Sequence, residues 1–233
     1  NEGLSNRAND GTAQKIRLAQ DARDQVKVFC GGDYLSNWLA DAQRFGNPDA
    51  GRLAKMERLR SDLDSGLCLG VGELGLLHFN KTGQQNIIQI QPDFAPLLQV
   101  VDMVGQRGGW IQLHVEPREP NGHTHYAELL TALALWTQRQ PRLKIMLSHT
   151  GMTSAANARA ILEAYPQVWM SVKLMSTNNS HWTHLEPLLN SEGELFEDWA
   201  QLFETMPERF VVGSDIKFGQ KGHRGEGEYE QEI

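Results

Sequence analysis

The sequence predicts an α/β protein with a parallel sheet, and two patterns carry that prediction. Short apolar runs rich in β-branched residues alternate with segments of helical periodicity along the 233 residues. This alternation is typical of repeated βαβ units with right-handed crossovers. Polar side chains collect where several of the apolar runs end, as they do in (β/α)8 barrels. We therefore predict a single barrel domain over residues 1–233.

Six apolar runs are predicted to be strands, with spacings of 24 to 42 residues. They begin near Lys27, Leu69, Trp110, Lys144, Val168 and Arg209. An open doubly wound sheet would fit this spacing as well as a barrel does. However, "CGGDYLSNWL" after the first run lacks the GxGxxG phosphate-binding pattern, which favours the barrel. A complete barrel has eight strands in about 250 residues, so we expect strands 1 and 2 and the last helix to be missing from this chain, with an exposed apolar edge beside the first visible strand.

Helices are predicted between the strands from the spacing of apolar residues. Residues 94–104 place Phe94, Leu97, Leu98, Val101 and Val104 on one face. A second face contains Leu129, Leu130, Leu133 and Trp136, and a third runs from Leu195 to Met206, where Pro207 ends it. Residues 12–25 and 50–63 have a more polar helical pattern, which is typical of outer helices.

Composition limits the classes of partner. Twenty-two basic and 29 acidic residues give a formal net charge of −7, so neither nucleic acid nor an anionic membrane is expected as a partner. No apolar stretch reaches about 18 residues and no signal peptide is recognisable, which predicts a cytoplasmic protein that does not span a membrane. Cys30 and Cys68 have no CxxC spacing, and we interpret them as buried thiols of a reducing compartment rather than a disulfide.

Four polar residues near strand ends are candidates for a metal centre: Glu73, His114, His149 and Asp215. Each has an ordinary alternative, such as a core histidine, a loop residue, a helix cap or half of an ion pair. In a barrel, however, the ends of these strands converge. By strand alternation, His149 should share a face with Leu147, and His114 with Gln112. Two imidazoles and two carboxylates in an apolar mouth favour Zn²⁺, with Mn²⁺ or Fe²⁺ as alternatives.

The segments "VGELGL", "IQLHVEP", "IMLSHTG" and "FVVGSD" together resemble the metal-site strands of the amidohydrolase superfamily, in particular the amidohydrolase-2 group of TIM-barrel hydrolases. The resemblance runs from that family's third strand to its eighth. It implies that His114, His149 and Asp215 belong to the metal site. The family's first-strand His-x-His pair has no counterpart. Glu73 resembles the bridging glutamate of TatD-like nucleases, so the sequence allows either one or two metal ions.

The resemblance also implies roles in catalysis. His114 would be a direct metal ligand, and Asp215 would accept a proton from the metal-bound water. His149 would bind a second ion or hydrogen-bond the developing oxyanion. Basic residues of the strand-end loops are candidates for binding an anionic substrate, although a plain solvated loop is the simpler interpretation. They are Arg118, His123, His125, Lys173, Lys217, Lys221, His223 and Arg224, and "NNSHWTH" (178–184) is an ordinary loop or a lid.

Four functions follow from these observations. The first is metal-dependent hydrolysis of an amide, lactone or other ester in a small molecule. A phosphoester hydrolase is suggested by Glu73, and a metal-dependent decarboxylase by the resemblance to the amidohydrolase-2 group, which includes such enzymes. The fourth is a metal-free barrel that binds a ligand. The sequence leaves the substrate and the oligomeric state open.

Overall fold

Six parallel strands in sequential order form the frame of the molecule. The computed structural model describes residues 11–22, 26–47, 49, 51–79, 87–175, 177 and 185–213. The sheet order is β1-β2-β4-β5-β6-β7, and β3 pairs antiparallel with β2. The strands are β1 (Val28–Gly31), β2 (Cys68–His78), β3 (Ile88–Gln89), β4 (Trp110–Val115), β5 (Lys144–Leu147), β6 (Val168–Val172) and β7 (Phe210–Val212). All six strands expected from the sequence are confirmed, and the two-residue β3 is an addition.

The described part of the chain contains seven helices, one before β1 and six between the strands. They are α1 (Gly11–Asp21), α2 (Gly32–Arg44), α3 (Arg52–Asp64), α4 (Ala95–Gly105), α5 (Tyr126–Arg139), α6 (Ala155–Ala164) and α7 (Glu197–Thr205). The sequence pattern predicts five of them. It misses α2, because "GGDY" at its start resembles the end of the preceding strand, and α6, whose alanines give a weak apolar period.

The order of the strands decides between the two architectures that the spacing allows. Successive parallel strands pair with each other from β1 to β7, so the order never reverses as it does in a doubly wound sheet. A sheet that grows in one direction, with a helix after most strands, is the arrangement of a (β/α)8 barrel. The described residues supply six of its eight strands, and the fold is an incomplete barrel.

The two faces of the sheet differ in burial. On β4, Ile111, Leu113 and Val115 are fully buried, whereas Trp110, Gln112 and His114 on the opposite face are only partly buried. The ladder pairs Leu113 with Leu147 of β5 and Gln112 with Met146. The buried face therefore packs into the apolar core, and the other is the inner face of the barrel.

The edge of β1 is covered rather than exposed. Gly31 donates its N–H to Thr12 Oγ1 of α1 (3.0 Å), and Lys15 Nζ donates to the carbonyl of Phe29 (3.4 Å). These backbone groups would otherwise lie at the unpaired edge of the sheet. Among the described residues, apolar side chains are exposed instead on β7 at the opposite end of the sheet, where Val212 is 91% exposed. The expectation of an exposed edge beside the first strand was therefore wrong.

The interpretation of the cysteines as free thiols was also wrong. Cys30 of β1 and Cys68 of β2 form a disulfide, with their Cα atoms 5.8 Å apart. The two strands are direct neighbours, so residues 38 positions apart in the sequence meet without any CxxC spacing. The argument for a reducing compartment therefore loses its basis.

None of the helices in the described part of the chain has both the length and the apolar character that a membrane crossing requires.

The fold predicts a large difference between two leucine substitutions. Leu113 is fully buried between Leu74 and Leu147 of the flanking strands, whereas Leu53 of α3 is 79% exposed. Leu113→Ala should lower the free energy of unfolding by about 2–5 kcal/mol, because it leaves a cavity in the core. Leu53→Ala is the matched control and should change it by no more than about 0.5 kcal/mol. Urea denaturation measures both, and equal effects would contradict the placement of β4 at the centre of the core.

Candidate functional site

Three of the sequence-predicted residues lie together on or just after three neighbouring strands. Glu73 belongs to β2, His114 to β4, and His149 follows β5. One donor atom from each lies within 4.8 Å of the other two. His114 Nδ1 is 3.0 Å from Glu73 Oε1, and His149 Nε2 is 3.4 Å from the same oxygen. We call these three residues the mouth site.

A bulge in β2 places Glu73. The ladder with β4 pairs Val71 with Ile111 and Leu74 with Leu113, so three steps along β2 match two along β4. The extra residue re-aims the side chains of this stretch, which is a common use of bulges beside functional sites. Gly72 is required here, since a Cβ atom on it would lie 2.5 Å from the Cβ of Gln112.

A left-handed turn places His149. Leu147 lies on the buried face of the sheet with Leu113, so a continuing strand would turn His149 away from His114. Instead the chain enters a 3-10 segment, and His149 (φ 56°) and Thr150 (φ 57°) adopt left-handed conformations. The expectation that His149 shares a face with Leu147 was therefore wrong. Left-handed backbone at a β-branched residue such as Thr150 costs roughly 1–3 kcal/mol, and such strain clusters at functional sites.

Two residues that the sequence analysis did not single out complete the surroundings of His114. Glu116 is fully buried, and its Oε1 lies 3.0 Å from His114 Nε2 and 2.7 Å from His78 Nδ1. Its Oε2 accepts the N–H of Phe79 at 2.7 Å. Both could have been found, because Glu116 follows His114 by two positions and His78 is the polar end of an apolar run. His78, His114 and Glu116 also lie within 4.8 Å of one another.

Contacts between the His114 ring and the carboxylates of Glu73 and Glu116 shift the pKa of all three groups. Burial alone would raise the pKa of Glu73, but hydrogen bonds from His114 and His149 lower it well below its ordinary value. Burial likewise opposes the charge on Glu116, and hydrogen bonds from His114, His78 and the Phe79 N–H outweigh it and lower its pKa to about 2. For His114, burial would lower the pKa, while Glu116 and Glu73 raise it to about 9.

His114 can serve only one metal ion in the ordinary way, because a neutral imidazole offers one lone pair and keeps one N–H. The nitrogen that faces Glu73 is Nδ1, and the one that faces Glu116 is Nε2. Glu116 is already surrounded by donors and fully buried. Glu73 is 33% exposed and opens towards the mouth. The geometry therefore favours an ion at Nδ1, with Nε2–H donated to Glu116 as an orienting carboxylate.

The other predicted residues are placed as follows. Arg118 is half exposed, and its guanidinium lies 3.9 Å from Glu186 Oε1. Lys173 directly follows β6, two positions after Ser171, whose hydroxyl accepts the N–H of His149 at 3.3 Å. Asp215 and Lys217 lie outside the described residues, as do the segment 178–184 and residues Lys221, His223 and Arg224. The roles of all the candidate site residues stay predictions.

Comparison with known proteins supports the architecture. The sequence matches no protein-family profile and no curated protein. An uncharacterised TIM-barrel protein from Bordetella bronchiseptica has a similar structure, with a TM-score of 0.51 and 11% identity over 87% of this chain. The likeness shows the fold alone. The chain spans only 58% of the length of that barrel.

Weaker structural matches were also found. A protein described as amidohydrolase II gives a TM-score of 0.42 at 16% identity, covering 91% of this chain and 69% of the other. A 2,6-dihydroxybenzoate decarboxylase from Rhizobium gives 0.44 at 14% identity, covering 90% and 69%. At this level neither match bears on the chemistry of this chain.

The mouth site predicts an unusual titration in the metal-free protein. Because two carboxylates raise the pKa of His114 to about 9, its ring should keep both protons at neutral pH, and its Cε1–H resonance should move only near pH 9. A raised pKa stabilises the fold below the unfolded value of 6.5, and that contribution disappears as the pH rises through 9. A proton NMR titration measures it, with His114→Gln to assign the signal by its loss. A midpoint near 6.5 would contradict the arrangement of the two carboxylates.

Proposed function

We propose that this chain is part of a metal-dependent hydrolase in which the mouth site binds one divalent ion, with Zn²⁺ as the first candidate. The observation that carries the proposal is the convergence of Glu73, His114 and His149, whose donor atoms come from three neighbouring strands and lie within 4.8 Å of one another. Two imidazoles and a carboxylate with an open fourth position are the ligand set of many catalytic zinc sites.

The donor set fits a borderline ion. A bound Zn²⁺ would lower the pKa of a water molecule towards 7 and polarise the scissile carbonyl group. His114 would present Nδ1 and keep Nε2–H on Glu116, which fixes the tautomer and the orientation of the ring. The oxygen of Glu73 that accepts from His114 also faces His149, so this carboxylate holds both rings toward one point. Glu73 would be a ligand in its ionised form, which these contacts favour.

The remaining roles rest on the sequence. Asp215 is proposed as the base that takes the proton of the water and passes it to the leaving group. Arg118, Lys173 and Lys217 are proposed to bind an anionic part of a small substrate. The placement of Lys173 directly after β6, close in sequence to the Ser171 hydroxyl that contacts His149, supports its part in this assignment.

A matched pair of histidine substitutions tests which nitrogen of His114 holds the ion. His78 and His149 both lie beside the His114 ring, with ring centroids 4.7 Å and 5.4 Å from it. His149→Ala should abolish zinc-dependent hydrolysis, because it removes a ligand. His78→Ala should keep that activity and weaken the apparent zinc affinity by roughly 10–100-fold at most, since it removes only a partner of Glu116.

The measurement is the zinc-dependent rate of the chelator-treated full chain on a panel of aryl esters, lactones, amides and phosphodiesters, with circular dichroism as the check on folding. Loss of activity in His78→Ala with retention in His149→Ala would place the ion on the Glu116 side instead. A chain that binds zinc in the mouth and hydrolyses no member of the panel would contradict the hydrolase assignment.

A further inference from the structure

A short hairpin follows β4, and Arg118 at its base is the one residue of it that the proposed hydrolase uses. Arg118 and Thr124 form an antiparallel bridge, and Glu119 N–H donates to the carbonyl of His123 at 2.9 Å. The turn closes with Gly122 N–H donating to the Glu119 carbonyl, and Gly122 has a φ of 90°, which glycine adopts without strain. The sequence "EPNGHTH" (119–125) therefore folds back on itself directly after the mouth.

The hairpin brings three metal-ligating side chains to one place. Glu119 and His123 are a hydrogen-bonded pair across it, and His125 lies two positions after His123, on the same face of the strand. One donor atom from each of the three lies within 4.8 Å of the others. His125 Nε2 is 2.6 Å from Glu119 Oε1, and the rings of His123 and His125 are 4.6 Å apart. We call these three residues the hairpin site.

The surroundings orient two of these donors. Glu128 Oε1 lies 3.1 Å from His125 Nδ1, so a proton on Nδ1 leaves Nε2 directed at Glu119. A carboxylate behind a ligating histidine is the usual way in which proteins fix the tautomer of a metal ligand. Asn121 Nδ2 donates to Glu119 Oε2 at 2.9 Å, which leaves Oε1 directed at His125. His125 itself is only 4% exposed and stacks on Phe79, with ring centroids 5.0 Å apart.

The spacing of the donors suits a tetrahedral ion. Metal bonds of about 2 Å in a tetrahedron put the donor atoms roughly 3.3 Å apart, which falls between the 2.6 Å contact of Glu119 with His125 and the 4.8 Å limit for the set. The exposed ring of His123 has the freedom to close the remaining distance. Two nitrogens and one oxygen favour Zn²⁺ over the hard ions Ca²⁺ and Mg²⁺.

We propose that Glu119, His123 and His125 form a second divalent transition-metal site, separate from the mouth site and structural in role. An ion there ties the two arms of the hairpin together and holds the His125 ring against Phe79. The N–H of Phe79 binds Glu116, and Glu116 binds His114. The hairpin ion would therefore steady the loop beside the mouth without touching the reacting atoms.

Cobalt binding tests this site without any assay of activity. Tag-free, metal-free full chain is titrated with CoCl₂, and the visible absorption bands of tetrahedral Co²⁺ and the number of bound ions are measured. In a His149→Ala background, which removes a mouth donor, the chain should still bind an ion with tetrahedral bands. Adding His123→Ala should remove those bands and one bound ion. His123 is exposed, so this change should leave the circular dichroism spectrum intact.

The matched control is Thr124→Ala, an exposed neighbour on the opposite face of the same hairpin arm, which should keep the ion. The same one-ion loss on His123→Ala is expected in the otherwise unaltered chain, so the result does not depend on the His149 variant folding. The hairpin site would be overturned if the metal content were the same with and without His123. It would also be overturned if a His149→Ala chain with the circular dichroism spectrum of the unaltered chain bound no ion with tetrahedral bands. Neither result bears on hydrolysis at the mouth.

Discussion

The His114 ring lies between two carboxylates, and the arrangement of the mouth depends on it. Glu73 faces Nδ1 and Glu116 faces Nε2, each at 3.0 Å. A buried carboxylate is costly unless it is paired and hydrogen-bonded, and Glu116 is fully buried. The His114 ring offers a hydrogen-bonding nitrogen to each carboxylate, and the two carboxylates in turn hold the ring in one orientation. The same ring can give up one of its protons to a metal ion while the other keeps Glu116 satisfied.

The barrel supplies the positions from which these groups meet. Parallel strands bring their carboxyl ends to one side of the sheet, so residues about 40 positions apart in the sequence become neighbours. In regular strands, strict alternation would direct the side chains of Glu73 and His149 to the face of the sheet opposite His114. The bulge at residues 72–73 and the left-handed turn at residues 149–150 correct both. Each departure from regular geometry lies beside the mouth, which is where strained backbone is expected to serve a function.

Much of the frame is readable from the sequence. The six parallel strands are apolar runs with clear boundaries, and α4 and α5 show strong 3.6-residue periods, since they bury Val101 and Leu133 against the sheet. The failures have physical causes. The disulfide forms because β1 and β2 are neighbours in the sheet, which the sequence does not state. The direction of the His149 side chain depends on left-handed backbone at residues 149 and 150, a conformation that threonine rarely adopts. Glu116 precedes a proline and therefore resembles a loop residue in the sequence, although it is buried beside His78 and His114.

Anomalous X-ray diffraction from crystals of the zinc-loaded full chain would locate the ion relative to the two nitrogens of the His114 ring. We expect a peak about 2 Å from His114 Nδ1, among the donor atoms of Glu73 and His149. A peak beside Nε2, between His78 and Glu116, would contradict the assignment of the two nitrogens. A zinc-saturated crystal with no peak at the mouth would contradict the metal centre itself.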